Sequence, residues 1–253
     1  MTRLAGQHAL VTGGGTGLGA AIARVLAAEG AALTLVGRRE QPLARMASEI
    51  GAAIATADVT NRTEVEAAFE TARAANGPLT ILVNNAGSAE SAPFARLDEQ
   101  GWSRNLAVNL DAMFHCCQTA LPDLLAAKAG RIVTIASTGG LKGYAYAAAY
   151  CAAKHGAIGL TRALAVEYAK TNLTVNAVCP GFADTDLVAR AAANIASKTG
   201  RDEAAARAEL AAFNPQGRLV EPAEVANAVR WLCLPQSQAI TGQAIAVAGG
   251  EVM

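Results

Sequence analysis

The chain has 253 residues, of which 52% are apolar and 17% are charged, so it can bury a large core and is not a disordered protein. Its 21 Lys and Arg residues balance its 21 Asp and Glu residues, which excludes the broad basic surface that binding to nucleic acid requires. We therefore expect one large α/β domain over residues 1–253.

The N-terminus and the cysteines indicate where the protein works. No charged segment leads into an apolar one at the N-terminus, and no apolar stretch approaches the ~20 residues of a membrane span. The five cysteines form no CxxC pair, a usage typical of buried thiols in a reducing compartment. His115, Cys116 and Cys117 would point apart on a helix, so they predict no metal site. We expect a cytoplasmic protein without a membrane or a metal.

Short apolar segments alternate with longer segments of helical period along the chain. The predicted strands are 8–12, 31–36, 53–58, 80–85, 130–137, 174–180 and 243–249. The predicted helices are 17–30, 39–50, 63–77, 102–127, 148–171 and 221–233. Strands that are apolar on both faces and separated by helices indicate a parallel sheet covered on both sides. The pattern predicts a doubly wound, Rossmann-type α/β fold with about seven strands.

A glycine-rich loop, TGGGTGLG at 12–19, follows the first predicted strand and opens the first predicted helix. Its glycines satisfy either Gly15-x-Gly17-x-x-Ala20 or the wider spacing Gly13-x-x-x-Gly17-x-Gly19. In both cases backbone N–H groups and the helix N-terminus can approach a phosphate. The position after the first strand predicts a dinucleotide site.

The end of the second predicted strand indicates which dinucleotide binds. NAD sites usually carry Asp or Glu there for the ribose 2′-OH, but here Gly37 is followed by Arg38 and Arg39. Guanidinium groups can bind a 2′-phosphate that a carboxylate would repel. The sequence therefore favours NADP, with NAD as the alternative.

A nicotinamide cofactor implies hydride transfer to a carbonyl, whose oxygen then needs a proton. A tyrosine can supply it if a cation one helical turn later lowers its pKa toward neutrality. Tyr144 is followed four residues later by Ala148, and Tyr146 by another tyrosine. Tyr150 is followed by Lys154. Spacing therefore selects Tyr150 as the acid/base, and the other two tyrosines are expected to line the substrate pocket.

From about His8 to Gly250 the sequence resembles the short-chain dehydrogenase/reductase family. The resemblance rests on four motifs in the family's order: TGGGTGLG (12–19), NNAG (84–87), a serine thirteen residues before YCAAK (150–154), and PGFADT (180–185). It implies a catalytic set of Asn109, Ser137, Tyr150 and Lys154. In the family, the serine binds the substrate oxygen, the lysine bonds the nicotinamide ribose, and the asparagine supports the lysine through a water.

The resemblance also implies the dinucleotide contacts. Residues 58–59 would meet the adenine, 85–87 the adenine ribose side, and 180, 181 and 185 the nicotinamide carboxamide and pyrophosphate. The expected cofactor set is Gly13, Thr16, Gly17, Leu18, Gly19, Arg38, Arg39, Asp58, Val59, Asn85, Ala86, Gly87, Tyr150, Lys154, Pro180, Gly181 and Thr185. Two positions depart from the family pattern. Thr16 stands where many NADP-preferring members carry a basic residue, and Ala248 stands where many members carry Asp.

The segment 186–220 has no predicted strand and is rich in alanine. Because it follows the carboxyl end of the sixth strand, it predicts a helical lid over about 186–213. A pair of helices that serves only packing or subunit contact is the alternative. The apolar residues on several faces of 102–127 and 148–171 indicate a homo-oligomer, for which the family resemblance implies a tetramer.

The substrate is the least defined part. RIVTIASTGG and TVNAVCPGF resemble reductases of 3-oxoacyl thioesters and the related 3-hydroxyacyl-CoA dehydrogenases. Lys142, Arg190 and Arg201 are candidate partners for the phosphates of a thioester carrier, or ordinary surface charges. A dehydrogenase of another secondary alcohol, aryl or cyclic, is the alternative. A dinucleotide-binding protein without catalysis is disfavoured, because the catalytic set is complete.

Overall fold

The computed structural model describes residues 2–252, apart from the side chains of residues 198 and 199. These residues form one sheet of seven parallel strands in the order β3-β2-β1-β4-β5-β6-β7. The strands are β1 (His8–Thr12), β2 (Ala32–Gly37), β3 (Ala53–Thr56), β4 (Ile81–Asn84), β5 (Gly130–Ile135), β6 (Leu173–Pro180) and β7 (Ala244–Val247). Every residue of β1, β4, β5 and β6 is buried, as expected for central strands covered on both faces. The doubly wound fold predicted from the sequence is confirmed.

Helices cover both faces of the sheet. They are α1 (Gly17–Ala28), α2 (Glu40–Ile50), α3 (Arg62–Asn76), α4 (Glu99–Leu106), α5 (Ala112–Ala126), α6 (Ala148–Glu167), α7 (Asp186–Thr199), α8 (Glu203–Ala211) and α9 (Pro222–Cys233). The core on one face joins α1, α2 and α9 to the sheet, and the core on the other face joins α3, α5 and α6. With few aromatic residues, both cores consist mainly of Ala, Val, Ile and Leu.

The segment predicted as one helix over 102–127 is different in the structure. It begins earlier, at Glu99, because the Asp98 carboxylate accepts a hydrogen bond from Gly101 N at 2.7 Å and caps the helix. A π-helical turn, Ala107–Asp111, then separates α4 from α5. Such turns are rare and concentrate at functional sites. This one holds Asn109.

The chain reverses its direction of winding between β1 and β4. β1 pairs with β2 on one side and with β4 on the other, so Val11 lies opposite both Leu35 and Val83. The connections that leave the carboxyl ends of β1 and β4 turn to opposite faces and open a crevice, the usual ligand position in such sheets. Most of the predicted site residues lie in connections or helix starts near this edge; Asn109 lies in the π-helical turn, Lys154 in the second turn of α6 and Pro180 at the end of β6.

The insertion after β6 contains α7 and α8, which lie outside the sheet. The two helices pack on each other through Val188, Ala192, Ala206 and Leu210, a small core of their own. Two helices with a small core of their own can move relative to the sheet at a lower cost in free energy than helices that belong to the main core. The expectation of a lid at about 186–213 stays a prediction.

Candidate active site

The loop between β1 and α1 is packed too tightly for side chains at its glycines. Gly13 and Gly17 have φ values of +65° and +54°, in the left-handed region that favours glycine. A Cβ atom on Gly19 would lie 2.1 Å from the carbonyl oxygen of Gly13. The first turn of α1 therefore lies directly against the loop, and binding of a phosphate at the helix N-terminus stays a prediction.

Thr16 and Leu18 face different surroundings within this loop. Thr16 precedes α1, and its side chain makes no capping hydrogen bond, so its hydroxyl is available to a ligand. Leu18 packs against the hydrophobic core, which leaves only its backbone for the cofactor.

Asn85 holds the glycine loop in place. Its side-chain amide donates hydrogen bonds to the carbonyl oxygens of Thr12, at 2.9 Å, and Gly13, at 3.3 Å. The backbone N–H groups of Asn85 and Ala86 both donate to the Thr12 hydroxyl at 3.0 Å. The motif after β4 therefore braces the motif after β1. Direct contact of Asn85 with a cofactor ribose stays a prediction.

A cleft of about 420 Å³ opens where β1 and β2 end. It is lined by Gly13, Gly15, Thr16, Gly37, Arg38, Arg39, Pro42 and Leu43. The cleft therefore joins the glycine loop to both arginines, and no carboxylate belongs to its lining. This arrangement suits a dinucleotide with an extra phosphate.

Asp58 and Val59 lie beyond β3 at the same edge. Arg38 Nη1 lies 3.8 Å from Asp58 Oδ2, and the Arg38 side chain is 75% exposed. Burial acts to raise the pKa of Asp58, but hydrogen bonds from Thr60 and the charge of Arg38 outweigh it, so the pKa is lowered. The Val59 side chain is buried beside Met113, so only its backbone can face an adenine.

Ser137 and Tyr150 meet across a glycine. Ser137 follows β5, and its Oγ accepts a hydrogen bond from Gly139 N at 3.0 Å. A Cβ atom on Gly139 would lie 3.1 Å from the Tyr150 ring and 3.4 Å from Ser137 Oγ. The missing side chain at this position allows the hydroxyl and the phenol to share one pocket.

Lys154 is buried one helical turn after Tyr150. Its Nζ donates a hydrogen bond to the carbonyl oxygen of Ile135 at 2.9 Å and lies 5.8 Å from the centre of the Tyr150 ring. Burial lowers the pKa of Lys154 to about 8. The lysine therefore carries its charge at neutral pH but loses it in mildly alkaline solution.

The pKa of Tyr150 shifts in the direction opposite to the one predicted. Burial raises it, and the Ser137 hydroxyl only partly offsets that effect. A buried phenolate loses its hydration, and this cost outweighs the hydrogen bond from Ser137. The i, i+4 spacing identified the pair correctly as neighbours but gave the wrong direction for the pKa.

Asn109 reaches the site from the π-helical turn. Its amide donates to the carbonyl oxygens of Ser88, at 2.9 Å, and Asn105, at 3.1 Å. A Cβ atom on Gly87 would lie 2.9 Å from Asn109 Oδ1 and 3.6 Å from Lys154 Nζ, so this glycine lies between the two groups. A cavity of about 10 Å³, close to the size of one water, is lined by both residues. The water-mediated link stays a prediction.

Pro180 ends β6, and Gly181 and Thr185 follow it in the connection to α7. A Cβ atom on Gly17 would lie 3.5 Å from the Thr185 methyl group, so the start of α7 packs near the glycine loop. Thr185 forms no side-chain cap on α7, and its hydroxyl donates to Ala183 O at 3.3 Å. The structure therefore brings Thr185 beside the glycine loop, whereas contact of Pro180 and Gly181 with a cofactor stays a prediction.

Tyr144 lies in a cluster with Thr138, Glu251 and two phenylalanines, and its place in the lining of the substrate pocket stays a prediction. Its hydroxyl contacts Thr138 Oγ1 at 2.5 Å and donates to the Glu251 carboxylate. Its ring packs edge-on against Phe182 and Phe213. Burial, together with the Glu251 hydrogen bond, raises the pKa of Tyr144, so this phenol stays protonated.

Sequence reasoning missed Phe182, Phe213 and Glu251. Phe182 stands inside the predicted PGFADT motif, but Phe213 and Glu251 are separated from Tyr144 by 69 and 107 positions in the printed sequence. The only local signal was the pair of glycines before Glu251, which adopt φ values of +61° and +93° and turn the chain inward. The three residues are brought together by tertiary folding alone.

Within residues 2–252, no cluster of His, Cys, Asp and Glu side chains could hold a metal ion, and no helix is long and apolar enough to span a membrane. Cys116 and Cys117, which were considered as ligands, are buried thiols. Burial raises the pKa of Cys117 to about 12, so it stays protonated.

Comparisons with known proteins show the family to which the chain belongs. The chain is 40% identical over 247 residues to cis-4-hydroxycyclohexanecarboxylate dehydrogenase of Sinomonas cyclohexanicum, with 96% and 95% of the two chains covered. It is 36% identical over 253 residues to the 3-oxoacyl-(acyl-carrier-protein) reductase FabG of Vibrio cholerae, with 99% of each chain covered.

A solved structure of a single-residue variant of actinorhodin polyketide ketoreductase with NADPH superimposes with a TM-score of 0.93. It is 38% identical, and the match covers 97% of each chain. Residues 7–196 match the family model of the short chain dehydrogenases. The chain therefore belongs to the short chain dehydrogenase family of oxidoreductases, as its motifs predict.

Proposed function

We propose that this protein is an NADPH-dependent ketoreductase in which Tyr150 delivers a proton to the carbonyl oxygen of the substrate. The observation that carries the proposal is the shared pocket of Ser137 and Tyr150 across Gly139, with Lys154 buried one turn behind. Related proteins named as ketoreductases and reductases support this reaction class.

The cofactor would be held by the glycine loop, by Arg38 and Arg39, and by Thr185 near the start of α7. The tight backbone of the loop and the cleft without a carboxylate fit a phosphorylated dinucleotide. When bound, NADPH supplies the hydride. A relative solved with NADPH supports NADP over NAD.

The protein groups suit the direction of reduction. The Ser137 Oγ accepts a hydrogen bond from Gly139 N, and its hydroxyl bonds to the phenol of Tyr150, so a carbonyl oxygen placed between them would meet both groups. The raised pKa of Tyr150 keeps the phenol protonated at neutral pH, ready to donate. The positive charge of Lys154 then stabilises the phenolate that remains. We assign Asn109 the support of Lys154 through the small cavity that both residues line.

For the substrate we propose a 3-oxoacyl thioester, as the name of the Vibrio cholerae relative suggests. Two of the three cations considered for its carrier phosphates are already engaged. Lys142 pairs with Glu251 at 3.1 Å, and Arg201 pairs with Glu209 at 2.6 Å. Arg190 is exposed on α7 and is the stronger candidate of the three.

A second function, reduction of a cyclic or aryl ketone, is favoured by the aromatic cluster of Tyr144, Phe182 and Phe213. Three rings beside the catalytic pocket would pack well on another ring. The relative that acts on cis-4-hydroxycyclohexanecarboxylate supports this alternative.

Steady-state kinetics would test both proposals. We expect kcat/KM with NADPH to exceed kcat/KM with NADH. We also expect kcat/KM for a 3-oxoacyl thioester to exceed kcat/KM for cyclic and aryl ketones. Arg38→Asp combined with Arg39→Ala should move the preference toward NADH, since it removes the phosphate partners and adds a carboxylate for a free 2′-OH. A wild-type enzyme that prefers NADH tenfold would refute the cofactor assignment.

We also propose that α7 and α8 form a lid and that the protein assembles as a homotetramer in the cytoplasm. The separate small core of the two helices supports a lid. Phe114 on α5 and Val166 on α6 are 47% and 79% exposed, which supports burial against another copy. Hydrogen exchange with and without cofactor tests the lid, and sedimentation tests the assembly. A fully active monomer of ~26 kDa would refute the tetramer.

A further inference from the structure

The C-terminal tail carries a carboxylate into the substrate side of the site. Gly249 and Gly250 have φ values of +61° and +93°, and a Cβ atom on Gly249 would lie 1.9 Å from Asn214 Oδ1. The tail is thus pressed against the segment that follows α8. The side chain of Glu251 is only 1% exposed. An ionised side chain at this depth needs partners.

Glu251 has two partners, both from the loop that joins Ser137 to Tyr150. Lys142 Nζ lies 3.1 Å from Oε1, and the Tyr144 hydroxyl donates to the same oxygen. The second oxygen, Oε2, is buried and has no hydrogen-bond partner among residues 2–252. Oε1 of Glu251 therefore holds the loop, whereas no group of the protein donates a hydrogen bond to Oε2 among residues 2–252.

The pair of Lys142 and Glu251 lies in the wall of side chains that a substrate would meet on the side of Tyr144 and Phe213. Lys142 Nζ lies 5.0 Å from the centre of the Tyr144 ring and 5.8 Å from that of Phe213. Glu251 Oε2 lies 2.8 Å from the position of a Cβ atom on Gly181, at the end of β6. Thr138, beside Ser137, contacts the Tyr144 hydroxyl. The tail, the lid and the catalytic loop meet at this carboxylate.

We propose that Glu251 is a positioning residue that determines specificity for substrate charge. It fixes Lys142 and Tyr144 and cancels the lysine charge, so that the wall presents aromatic rings to the substrate, with the buried carboxylate behind them. The enzyme would therefore favour neutral ketones over ketones that carry a carboxylate. This inference rests on the proposed ketoreductase function.

The physical basis is the poor screening of charges near a buried group. Glu251→Gln keeps an oxygen that can accept from Tyr144 but leaves Lys142 without its counter-charge. Lys142→Met does the reverse and leaves the carboxylate alone. The two substitutions therefore change the potential at the wall in opposite directions, which a role in folding alone would not do.

The test compares 4-oxocyclohexanecarboxylate with its neutral methyl ester, which share one ring and one ketone. We measure the ratio of kcat/KM for the anion to kcat/KM for the ester. Glu251→Gln should raise this ratio roughly fivefold, and Lys142→Met should lower it by a similar factor. The double variant should return near the wild-type ratio. Glu209→Gln, which breaks the exposed pair with Arg201 on α8, serves as the matched control and should leave the ratio unchanged.

A ratio within one variant is independent of how much protein is folded. If Glu251→Gln and Lys142→Met slow both substrates equally, the assignment is refuted and Glu251 is only structural. Binding of cyclohexanecarboxylate and its methyl ester to the NADP-loaded enzyme, measured by calorimetry, gives the same ratio without turnover. If the wild-type enzyme reduces no ketone, the proposed function alone is refuted. If the binding ratio is the same in the variants as in the wild type, this inference alone is refuted.

Discussion

The cofactor side of this site and the side that we propose for the substrate are formed by different parts of the protein chain. On the cofactor side, glycine backbone fits against backbone, and Asn85 and Thr12 tie two consecutive motifs together. On the substrate side, a wall of side chains comes from a loop, an insertion and the tail. A backbone cradle depends on local spacing, but a side-chain wall depends on which distant segments meet. The first can bind one shared cofactor, while the second can vary with the substrate.

Tyr150→Phe should produce the largest effect, because Tyr150 lies where the two sides join. The ring stays and only the transferable proton is lost, so kcat should fall by ~10²–10⁴-fold with nearly unchanged dinucleotide affinity. Single-turnover kinetics and a fluorescence titration with NADPH measure the two quantities. Tyr144→Phe is the control and should change mainly KM. A Tyr150→Phe variant with more than half of the wild-type kcat would contradict the assignment.

The difference between the two sides also explains what the sequence could reveal. Tyr150 and Lys154 lie four positions apart on one helix, and the glycine loop lies between a strand and a helix, so their patterns are local. The meeting of Glu251 with Tyr144 depends on the whole fold, and no spacing predicts it. The direction of the Tyr150 pKa shift was wrong because burial is a tertiary property.

The π-helical turn is an intermediate case. The sequence predicted a continuous helix there, because the apolar period continues through Asn109. The side chains of Asn105 and Asn109 hydrogen-bond to backbone carbonyl oxygens one turn earlier. Two asparagines at this spacing compete with the ordinary hydrogen bonds of a helix. The sequence alone did not reveal this, because the hydrogen-bond partners of the two side chains depend on the fold.

Gly19→Ala tests whether the tight backbone of the glycine loop holds the cofactor. The added methyl group would lie 2.1 Å from a carbonyl oxygen, so α1 or the loop must shift. Overpacking of this kind costs ~1–3 kcal/mol, which corresponds to roughly 10–100-fold in NADPH affinity if the strain falls on the loop. Fluorescence titration measures the Kd, and urea unfolding shows whether the fold is retained.

Gly159→Ala is the matched control for this substitution. Gly159 also lies within a helix, but a Cβ atom there would meet nothing within 4 Å. We expect its free energy of unfolding to rise by ~0.5–1 kcal/mol, with the same NADPH affinity as the wild type. Equal affinities in the Gly19→Ala and Gly159→Ala variants would show that the glycine loop does not hold the cofactor.

The pH dependence of reduction should report on Lys154. Its pKa of about 8 means that the charge is present at neutral pH and is lost as the pH rises above that value. Tyr150, whose pKa is raised, remains protonated over the same range, so the lysine alone sets the alkaline limb. We expect kcat/KM for reduction, which reports the ionisation of the free enzyme, to fall by up to about tenfold per pH unit above this pKa. A flat profile from pH 7 to 10 would contradict this role.

Tyr146 provides the smallest and most local test of the substrate side. It is the only non-glycine residue with positive φ among residues 2–252, at +64°, and its backbone oxygen accepts a hydrogen bond from Ala92 N at 2.8 Å. The ring is 66% exposed, so packing does not explain the strained backbone. Strain of this kind costs ~1–3 kcal/mol and concentrates at functional sites. We therefore expect the ring to line the entrance of the substrate pocket.

Two substitutions separate the ring from the strain. Tyr146→Gly removes both, whereas Tyr146→Ala removes the ring and keeps the left-handed backbone. Both should raise KM for the ketone a few-fold and leave kcat unchanged. In urea unfolding, the free energy of unfolding of the Gly variant should exceed that of the Ala variant by about 1 kcal/mol, because glycine accepts a φ of +64° without a steric cost. If KM is unchanged in both, the ring does not contact the substrate, and the strain serves only to hold the loop against Ala92.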